Sequence, residues 1–329
     1  MKIEKLRYSK IKGVKMKKYL IPEKGNFYKA NMHMHTTISD GDLTVEETKK
    51  AYLEKGYSIV AFSDHWHLVP HTELTDENFL AITSTEVSVD PKEEWSDFYR
   101  THHLCIYSKD PYKKDYEFGK YEFSADGVNR MVQDMKKQGF IVSYNHPSWS
   151  IEDEAVYGEI KGLWGVEVHN TGCLQEGHIE NELADKIYAR HGERVFPLAT
   201  DDAHRPYNCF GGWIMVKAEN LSYDTVMTAL ENGDFYASQG PEIFELFIEN
   251  EKLYVRCSDA RRIYIVSERR KGDSVTAKDG ETLTEACFDL SGYSEDTKRE
   301  NNPWQPAFKI VIENKFGYRA WTRFYYLDN

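Results

Sequence analysis

The sequence has no CxxC pair and no long apolar run. Its five cysteines are odd in number and widely scattered, which argues against a disulfide framework and against a thiolate zinc site. No stretch is long and apolar enough to predict a membrane span. The lysine-rich start also lacks the continuous apolar run and small-residue cleavage site of a secretory signal. These absences predict a cytoplasmic protein that does not associate with membranes.

Positive charge is also scarce, since the formal net charge is -12 over 329 residues. Such a chain would repel a phosphate backbone, which argues against tight binding of a long nucleic-acid duplex. A small anionic substrate stays compatible with this charge if metal ions supply positive charge locally. The lysines near the amino terminus alternate with apolar residues, and this pattern favours a solvated amphipathic segment over a nucleic-acid-binding arm.

A simple unit recurs along the first part of the chain: a helical pattern, a glycine, a short apolar run and then a polar residue. In TVEETKKAYLEKG, Thr44 and Glu47 form a capping box, and the strand SIVAF that follows leads to His65. Later copies lead through FIVSY to His146 and through RVFPLAT to Asp202. Strands that alternate with helices predict a mainly parallel sheet or barrel, in which active sites collect at the carboxyl ends of the strands.

The pattern changes near residue 236. The runs FELFIE, LYVRCS, RRIYIVS, ACFDLS, FKIVIE and WTRFYYL are short and alternating, which predicts an antiparallel all-β domain. We therefore predict an N-terminal extension at 1–26, a catalytic domain at 27–240 and a β-rich domain at 241–329. All twelve histidines lie between His33 and His204, so histidine chemistry is expected in the catalytic domain.

The stretch NMHMHTTISDGD contains the first candidate metal ligands. As a strand, it would point His33 and His35 to the same face, ~6.6 Å apart along the chain. An HxH pair alone is common, and a half-exposed strand with outward polar residues fits it equally well. Further candidates at predicted strand ends favour a metal site over a chance match: Asp64, His65, Glu86, His102, His103, His146, Asp202 and His204.

These motifs resemble those of the PHP (polymerase and histidinol phosphatase) family of metal-dependent phosphoesterases. HMHTTISDG, FSDH, STEVS, THHLCIY, NHP, GVEVHN and TDDAH occur in the family's order over residues 27–217, and NGDFYASQGPEI with RAWTRFYYL resembles the β-rich extension of one branch. The resemblance implies a distorted (βα)7 barrel followed by a small, sandwich-like all-β domain. It also implies a di- or trinuclear metal centre at the carboxyl face of the barrel.

The resemblance also implies which residues hold each metal. The first metal would bind His33, His35, Glu86 and Asp202; the second would bind Glu86, His102 and His146; the third would bind Asp40, His65 and His204. Either His102 or His103 could serve on its strand, and His102 is preferred because the family usually has a small residue three positions later, where Cys105 stands. The chain departs from the usual Gly-Ser at Thr200 and Asp201, and Asp201 could accept hydrogen bonds beside the ligands.

Nitrogen and oxygen ligands without thiolates suit two or three divalent ions of Mn, Zn or Fe. Such ions bind phosphate oxygens and lower the pKa of a shared water. The expected activity is hydrolysis of a phosphate ester of a small metabolite, nucleotide or short oligonucleotide, through a metal-bridging hydroxide held by Glu86 and Asp202. Arg205 is a weak candidate for a phosphate clamp, and Glu167 is expected to be a structural acceptor.

Two alternatives stay open at this point. The barrel could be inactive, with the β domain recruiting a protein partner or glycan, although retention of every candidate ligand argues against this. The same metal centre could also hydrolyse amides instead of phosphate esters. The sequence does not identify the substrate, the metal or a partner of the β domain.

Overall fold

The computed structural model describes residues 17–92, 100–179, 182–294 and 306–327. The strands are β1 (Lys18–Tyr19), β2 (Asn26–Asn31), β3 (Ile59–Phe62), β4 (Leu80–Val89), β5 (His102–Ser108), β6 (Phe140–Tyr144), β7 (Gly165–Asn170), β8 (Phe196–Thr200), β9 (Trp213–Ala218), β10 (Phe235–Ser238), β11 (Ile243–Glu249), β12 (Lys252–Ala260), β13 (Arg262–Ser267), β14 (Gly272–Thr276), β15 (Leu283–Asp289), β16 (Ala307–Glu313), β17 (Arg319–Thr322) and β18 (Tyr325–Tyr326). The helices are α1 (Val45–Glu54), α2 (Ala125–Lys137), α3 (Glu154–Tyr157), α4 (Thr171–Gln175), α5 (Ala184–Arg190), α6 (Tyr223–Asn232) and α7 (Ser291–Ser294). Residues 1–16 of the predicted N-terminal extension lie outside the described ranges.

The helices of the first part begin where the sequence predicts. Thr44 caps α1 with the expected capping box, because its side chain accepts from Glu47 N while the Glu47 carboxylate accepts from Thr44 N. Ser124 caps α2, which buries Val128, Met131 and Met135 along one face at helical spacing. None of the helices that the structure describes is long and apolar enough to cross a membrane.

The strands β2 to β8 lie in chain order in one large mixed sheet. β2, β3 and β4 pair in parallel, as do β6, β7 and β8, so the predicted parallel pairing is confirmed for these strands. β5 differs, because it is antiparallel to both of its neighbours, β4 and β6. The amino end of β5 therefore lies beside the carboxyl ends of the other strands, at the edge where the polar residues collect.

The strand ladder of the described residues does not close into the barrel that the sequence predicted. Instead, a single parallel bridge joins Met34, beyond β2, to Ala203, beyond β8. Two backbone hydrogen bonds flank it: His35 N donates to Ala203 O at 3.3 Å, and Asp202 N donates to His33 O at 2.9 Å. The ladder stops here because Asp202 has a φ of 47°, outside the range of a strand.

The carboxyl-terminal strands are antiparallel and belong to two sheets. β9, β10, β17, β16, β13 and β14 extend the main sheet beyond β2, while β1, β11, β12 and β15 form a second sheet. A second hydrophobic core that includes Leu246, Leu253, Ile263 and Ile310 lies in this part of the chain. The predicted antiparallel pairing is thus present, together with the short helix α7. The main sheet is continuous across residue 240, so a separate, sandwich-like all-β domain and the three domain boundaries stay predictions.

Candidate metal centre

Nine potential ligands meet at the edge of the sheet where β2, β3, β4, β6 and β8 end and β5 begins. They form three overlapping groups, and within each group the potential ligand atoms lie within 4.8 Å of one another. The groups are His33, His35, Glu86 and Asp202; Glu86, His103 and His146; and His35, Asp40, His65 and His204. The structure therefore brings together eight of the nine sequence-predicted residues, and His103 takes the place of His102.

The first group is fully buried and tightly spaced. The Nε2 atoms of His33 and His35 lie 3.1 Å apart. Each of them lies 3.3 Å from Glu86 Oε2 and 3.1–3.2 Å from Asp202 Oδ1. Four ligands at ~2.0–2.1 Å from a tetrahedral Zn²⁺ would be ~3.3 Å from one another, so these distances fit one transition-metal ion.

The carboxylate of Glu86 connects this group to the second one. Its Oε2 faces His33 and His35, whereas its Oε1 lies 3.2 Å from both His103 Nδ1 and His146 Nε2. The side chain is held in place because Asn145 Nδ2 donates to Oε1 at 2.8 Å. A carboxylate whose two oxygens face different nitrogen sets is suited to bridging two ions.

The prediction that His102 rather than His103 faces the centre is wrong. His102 is fully buried on the other side of β5, where its Nδ1 lies 2.7 Å from the Tyr144 hydroxyl and its ring packs on Phe123. In the β4–β5 register Glu86 pairs with Cys105, and because strand residues alternate, His103 shares the face of Cys105 and Glu86. The position of the small residue was therefore a misleading signal.

The third group lies nearer to solvent. Asp40 is 53% exposed, yet its carboxylate turns inward: Oδ2 lies 3.4 Å from His204 Nε2 and 3.7 Å from His65 Nε2. The loop approaches closely because of Gly41, where a Cβ would stand 2.3 Å from the carbonyl oxygen of His35. The DG pair is thus part of a turn, and this turn also directs Asp40 toward the histidines.

Two of the nine residues have left-handed backbone conformations, His146 with a φ of 26° and Asp202 with a φ of 47°. Such conformations are costly for non-glycine residues and persist only where the surroundings enforce them. Here the amide of His146 donates to Glu167 Oε2 at 2.8 Å, and the amide of Asp202 donates to His33 O. These backbone conformations direct both side chains toward the centre.

Glu167 lies beneath the first two groups and is almost completely buried. Its Oε1 lies 2.8 Å from His33 Nδ1 and accepts from the Thr200 hydroxyl at 2.7 Å. Its Oε2 accepts from His146 N and from Asn170 Nδ2, which also donates to Asp202. Glu167 therefore acts as an acceptor that orients His33 and the backbone of His146, a role broader than its position in GVEVHN suggests.

Two further buried aspartates organise the loops around the centre. Asp64 accepts from the backbone and hydroxyl of both Thr36 and Ser39, which fixes the turn that carries Asp40. Asp201 accepts from the Tyr52 hydroxyl and from the amides of residues 210–212. The sequence signal for both is an acid directly beside a candidate ligand, and Asp201 has the acceptor role expected for it.

Burial and charge act against each other on the ligands. Burial alone would lower the pKa of His35 and His146, but Glu86 and Asp202 outweigh it and raise both pKa values to about 9. Burial would raise the pKa of Glu86 and of Asp202, yet the neighbouring histidines, His33 foremost, hold both well below the usual range. Without metal, buried imidazolium ions would thus balance the two carboxylates.

Three buried polar atoms of the centre have no hydrogen-bond partner among the described residues, namely His35 Nδ1, His103 Nδ1 and Asp202 Oδ1. Buried polar atoms are normally satisfied, so this concentration of unpaired atoms at one place needs a cause. Imidazole nitrogens and carboxylate oxygens are the types of ligand that Mn, Zn and Fe bind. The residues therefore fit a transition-metal centre.

Arg205 is bonded to the loop that carries Asp40, and its role as a phosphate clamp stays a prediction. Its Nη1 donates to the carbonyl oxygens of Asp40 and His204 and to Asp42 Oδ1, at 3.1–3.2 Å. The side chain is half exposed, and these bonds connect it to the loop that carries Asp40. Arg205 therefore supports the third group of ligands.

No family model and no curated protein sequence matches the chain. A two-domain protein containing a predicted PHP-like metal-dependent phosphoesterase from Bacteroides vulgatus is 14% identical, with 94% of this chain and 98% of that chain covered and a TM-score of 0.43.

Two further solved structures are similar at a comparable level. A putative metal-dependent phosphoesterase from Bifidobacterium adolescentis is 16% identical, over 63% of this chain and 96% of that chain, with a TM-score of 0.39. An amidohydrolase from Chromobacterium violaceum with bound sulfate and no metal is 15% identical, over 54% of this chain and 88% of that chain, with a TM-score of 0.39. Membership of the PHP family therefore stays a prediction from the sequence motifs.

Proposed function

We propose that the protein is a cytoplasmic metal-dependent phosphoesterase of the PHP family. The observation that carries this proposal is the sharing of ligands among three groups at one sheet edge. Glu86 belongs to the first and second groups and His35 to the first and third, so ions bound there would lie close together. Clustered divalent ions are typical of enzymes that cleave phosphate esters.

The proposed ligands follow the three groups. The first ion would bind His33, His35, Glu86 and Asp202; the second would bind Glu86, His103 and His146; the third would bind Asp40, His65 and His204, with His35 beside it. Bound ions of Mn, Zn or Fe would polarise the phosphate oxygens and lower the pKa of a shared water, the expected nucleophile. A structural zinc site would be closed and thiolate-rich, whereas this set is open at Asp40 and consists of imidazoles and carboxylates without a thiolate.

The chain's own residues prepare the site for this chemistry. Glu86, held by Asn145, presents one oxygen to each of the first two groups. Asp202 and His146 are fixed in left-handed conformations that point them inward. This preorganisation means that binding of substrate would require little rearrangement of the ligands.

The substrate that this site favours is a small phosphate ester. The formal net charge of -12 and the half-exposed Asp40 make the surroundings of the site acidic. Metal ions rather than arginines would therefore attract the phosphate. Arg205 is bonded to the loop of Asp40 and contributes through that loop. A small phosphorylated metabolite, nucleotide or short oligonucleotide fits these features.

The proposal is tested by elemental analysis of purified protein, together with hydrolysis of an aryl phosphate in the presence of added manganese. We expect two or more metal equivalents in the wild type, and loss of both metal and activity in the His33→Ala, His35→Ala double variant. His191→Ala, which removes an exposed histidine at the end of α5, is the matched control. Wild-type protein without metal, or hydrolysis of an aryl amide but not of the ester, would contradict the proposal.

A further inference from the structure

Trp149 stands beside the second group of ligands but belongs to none of the three. Its indole ring lies 5.4 Å from the ring of His103 and 4.9 Å from the ring of His146, measured between centroids. The side chain is half buried, so one part of the indole covers the two imidazoles and the rest faces solvent.

The position of this indole is fixed from two directions. Its Nε1 donates to Glu176 Oε2 at 3.1 Å, just beyond the end of α4. Its backbone lies in a tight turn after β6, in which Ser150 N donates to His146 O and Ile151 N donates to Ser148 O. Trp149 is therefore held at the entrance to the second group before any ligand arrives, and a preordered aromatic surface loses little entropy on binding.

We propose that Trp149 determines substrate specificity by stacking on a planar ring in the alcohol portion of the phosphate ester. This inference rests on the proposed function, because it places the phosphate at the metal centre and the alcohol portion at its entrance. Aromatic faces bind aryl groups and nucleobases by the same stacking interaction. The chemistry shared by such substrates is a flat, unsaturated ring close to the ester oxygen.

Two esters that differ only in ring planarity test this inference. Benzyl phosphate and cyclohexylmethyl phosphate have similar size and charge, and both release a primary alcohol, so their intrinsic reactivity is matched. With manganese-loaded wild-type enzyme, we expect a KM for the benzyl ester at least about fivefold lower, with similar kcat, because stacking contributes to binding. Adenosine 5′-phosphate and ribose 5-phosphate form a second pair that tests a nucleobase.

Substitutions of Trp149 test whether the preference for the benzyl ester depends on the indole ring. Trp149→Leu should raise the KM for the benzyl ester toward that of the cyclohexylmethyl ester, whereas Trp149→Phe should retain most of the preference. Phe316→Leu, an exposed aromatic residue in the turn before β17, should leave it unchanged. Metal content is measured for each variant, since a preference lost only together with metal would show that Trp149 merely supports His103 and His146 and would overturn the inference.

Different results would contradict the role of Trp149 and the proposed phosphoesterase function. Equal KM values for both members of each pair in the wild type would overturn the role of Trp149 and leave the phosphoesterase proposal standing. Hydrolysis of none of the four esters by metal-loaded protein would overturn the proposed function, and the role of Trp149 with it.

Discussion

Glu167 Oε1 lies 2.8 Å from His33 Nδ1, and both side chains are almost completely buried. A carboxylate can only accept here: burial would raise the pKa of Glu167, but His33 and His146 together hold it below its usual value. In its neutral, metal-binding form, His33 therefore carries its proton on Nδ1, and Nε2 is left to face Glu86 and Asp202. A buried acid thus sets the tautomer that a metal-binding imidazole needs.

We expect Glu167→Gln to weaken metal binding by about 10- to 100-fold, because the amide would present a donor to at least one of four existing donors. The measurement is titration of chelator-treated protein with Mn²⁺ or Zn²⁺, with folding checked by circular dichroism. Glu231→Gln removes an exposed carboxylate that pairs with Lys109 and serves as the control. Unchanged metal affinity in a folded Glu167→Gln protein would contradict this role.

Replacement of either of the two adjacent histidines of β5 should affect a different property of the protein. His103→Ala should lower the metal content and the phosphatase activity, because it removes a ligand of the second group. His102→Ala should keep the metals but lower the free energy of unfolding by about 1–3 kcal/mol, since the Tyr144 hydroxyl would lose a buried partner. Elemental analysis and denaturant unfolding separate the two effects, and a reversed pattern would restore the original assignment.

The sequence was informative wherever a ligand type followed a strand directly. His65, His146 and Asp202 each come just after an apolar run, and the strand period alone brings His33 and His35 to one face. It was less informative at β5, because the direction of a strand within a sheet is not encoded in its own residues. The neighbours of β5 decide its direction, and that pairing puts His103 rather than His102 at the centre.

The sequence also did not predict that the strand ladder stays open, nor the full role of Glu167. A local pattern predicts a strand but not that its continuation leaves the ladder, as the chain does at Asp202. Three of the four hydrogen bonds of Glu167 come from residues that lie 21 to 134 positions away in the sequence. No local motif signals these contacts. Contacts of this kind follow only from the assembled fold.

Asp40→Asn should reduce the occupancy of the third group and lower the phosphatase activity at least tenfold, because the neutral amide is a weaker ligand than the carboxylate. Stability should change by no more than about 0.5 kcal/mol, since the side chain is half exposed. Asp42→Asn, in the same loop and bonded to Arg205, is the control for loop disturbance. Full metal content and activity in Asp40→Asn would show that Asp40 is not a metal ligand.

Metal binding to chelator-treated protein should release protons and should strengthen as the pH rises toward 9. The pKa values of His35 and His146 are raised to about 9 in the metal-free protein, so both carry a proton at neutral pH that a metal must displace. Calorimetric titrations in buffers of different ionisation enthalpy measure this release. Binding without proton release at pH 7 would contradict the protonation of these histidines.

The same histidines make the stability of the metal-free protein depend on pH. A base whose pKa is raised on folding stabilises the fold below its unfolded pKa of 6.5, and this contribution is lost as the pH rises toward about 9. We therefore expect the melting temperature of chelator-treated protein to fall between pH 6.5 and 9. Metal-loaded protein, in which the metal would replace the proton on each ligating nitrogen, should not show this fall, and thermal melts of both forms provide the comparison.

Lys309 of β16 and Asp185 of α5 form an ion pair at 2.6 Å that is completely buried. Lys309 also donates to Glu182 O, so the pair joins the carboxyl-terminal strands to the segment before β8. Lys309→Met should lower the free energy of unfolding by about 3–5 kcal/mol, because the Asp185 carboxylate would stay buried without a partner. The measurement is urea unfolding monitored by tryptophan fluorescence.

The double variant Asp185→Leu, Lys309→Met separates the cost of an unpaired charge from the value of the pair itself. A buried pair replaced by apolar residues is often neutral or stabilising, so the double variant should regain most of the stability that Lys309→Met loses. If it does, the pair contributes mainly to the specificity of the contact between α5 and β16. If the double variant is as unstable as the single one, the ion pair itself stabilises the contact, because apolar packing cannot replace it.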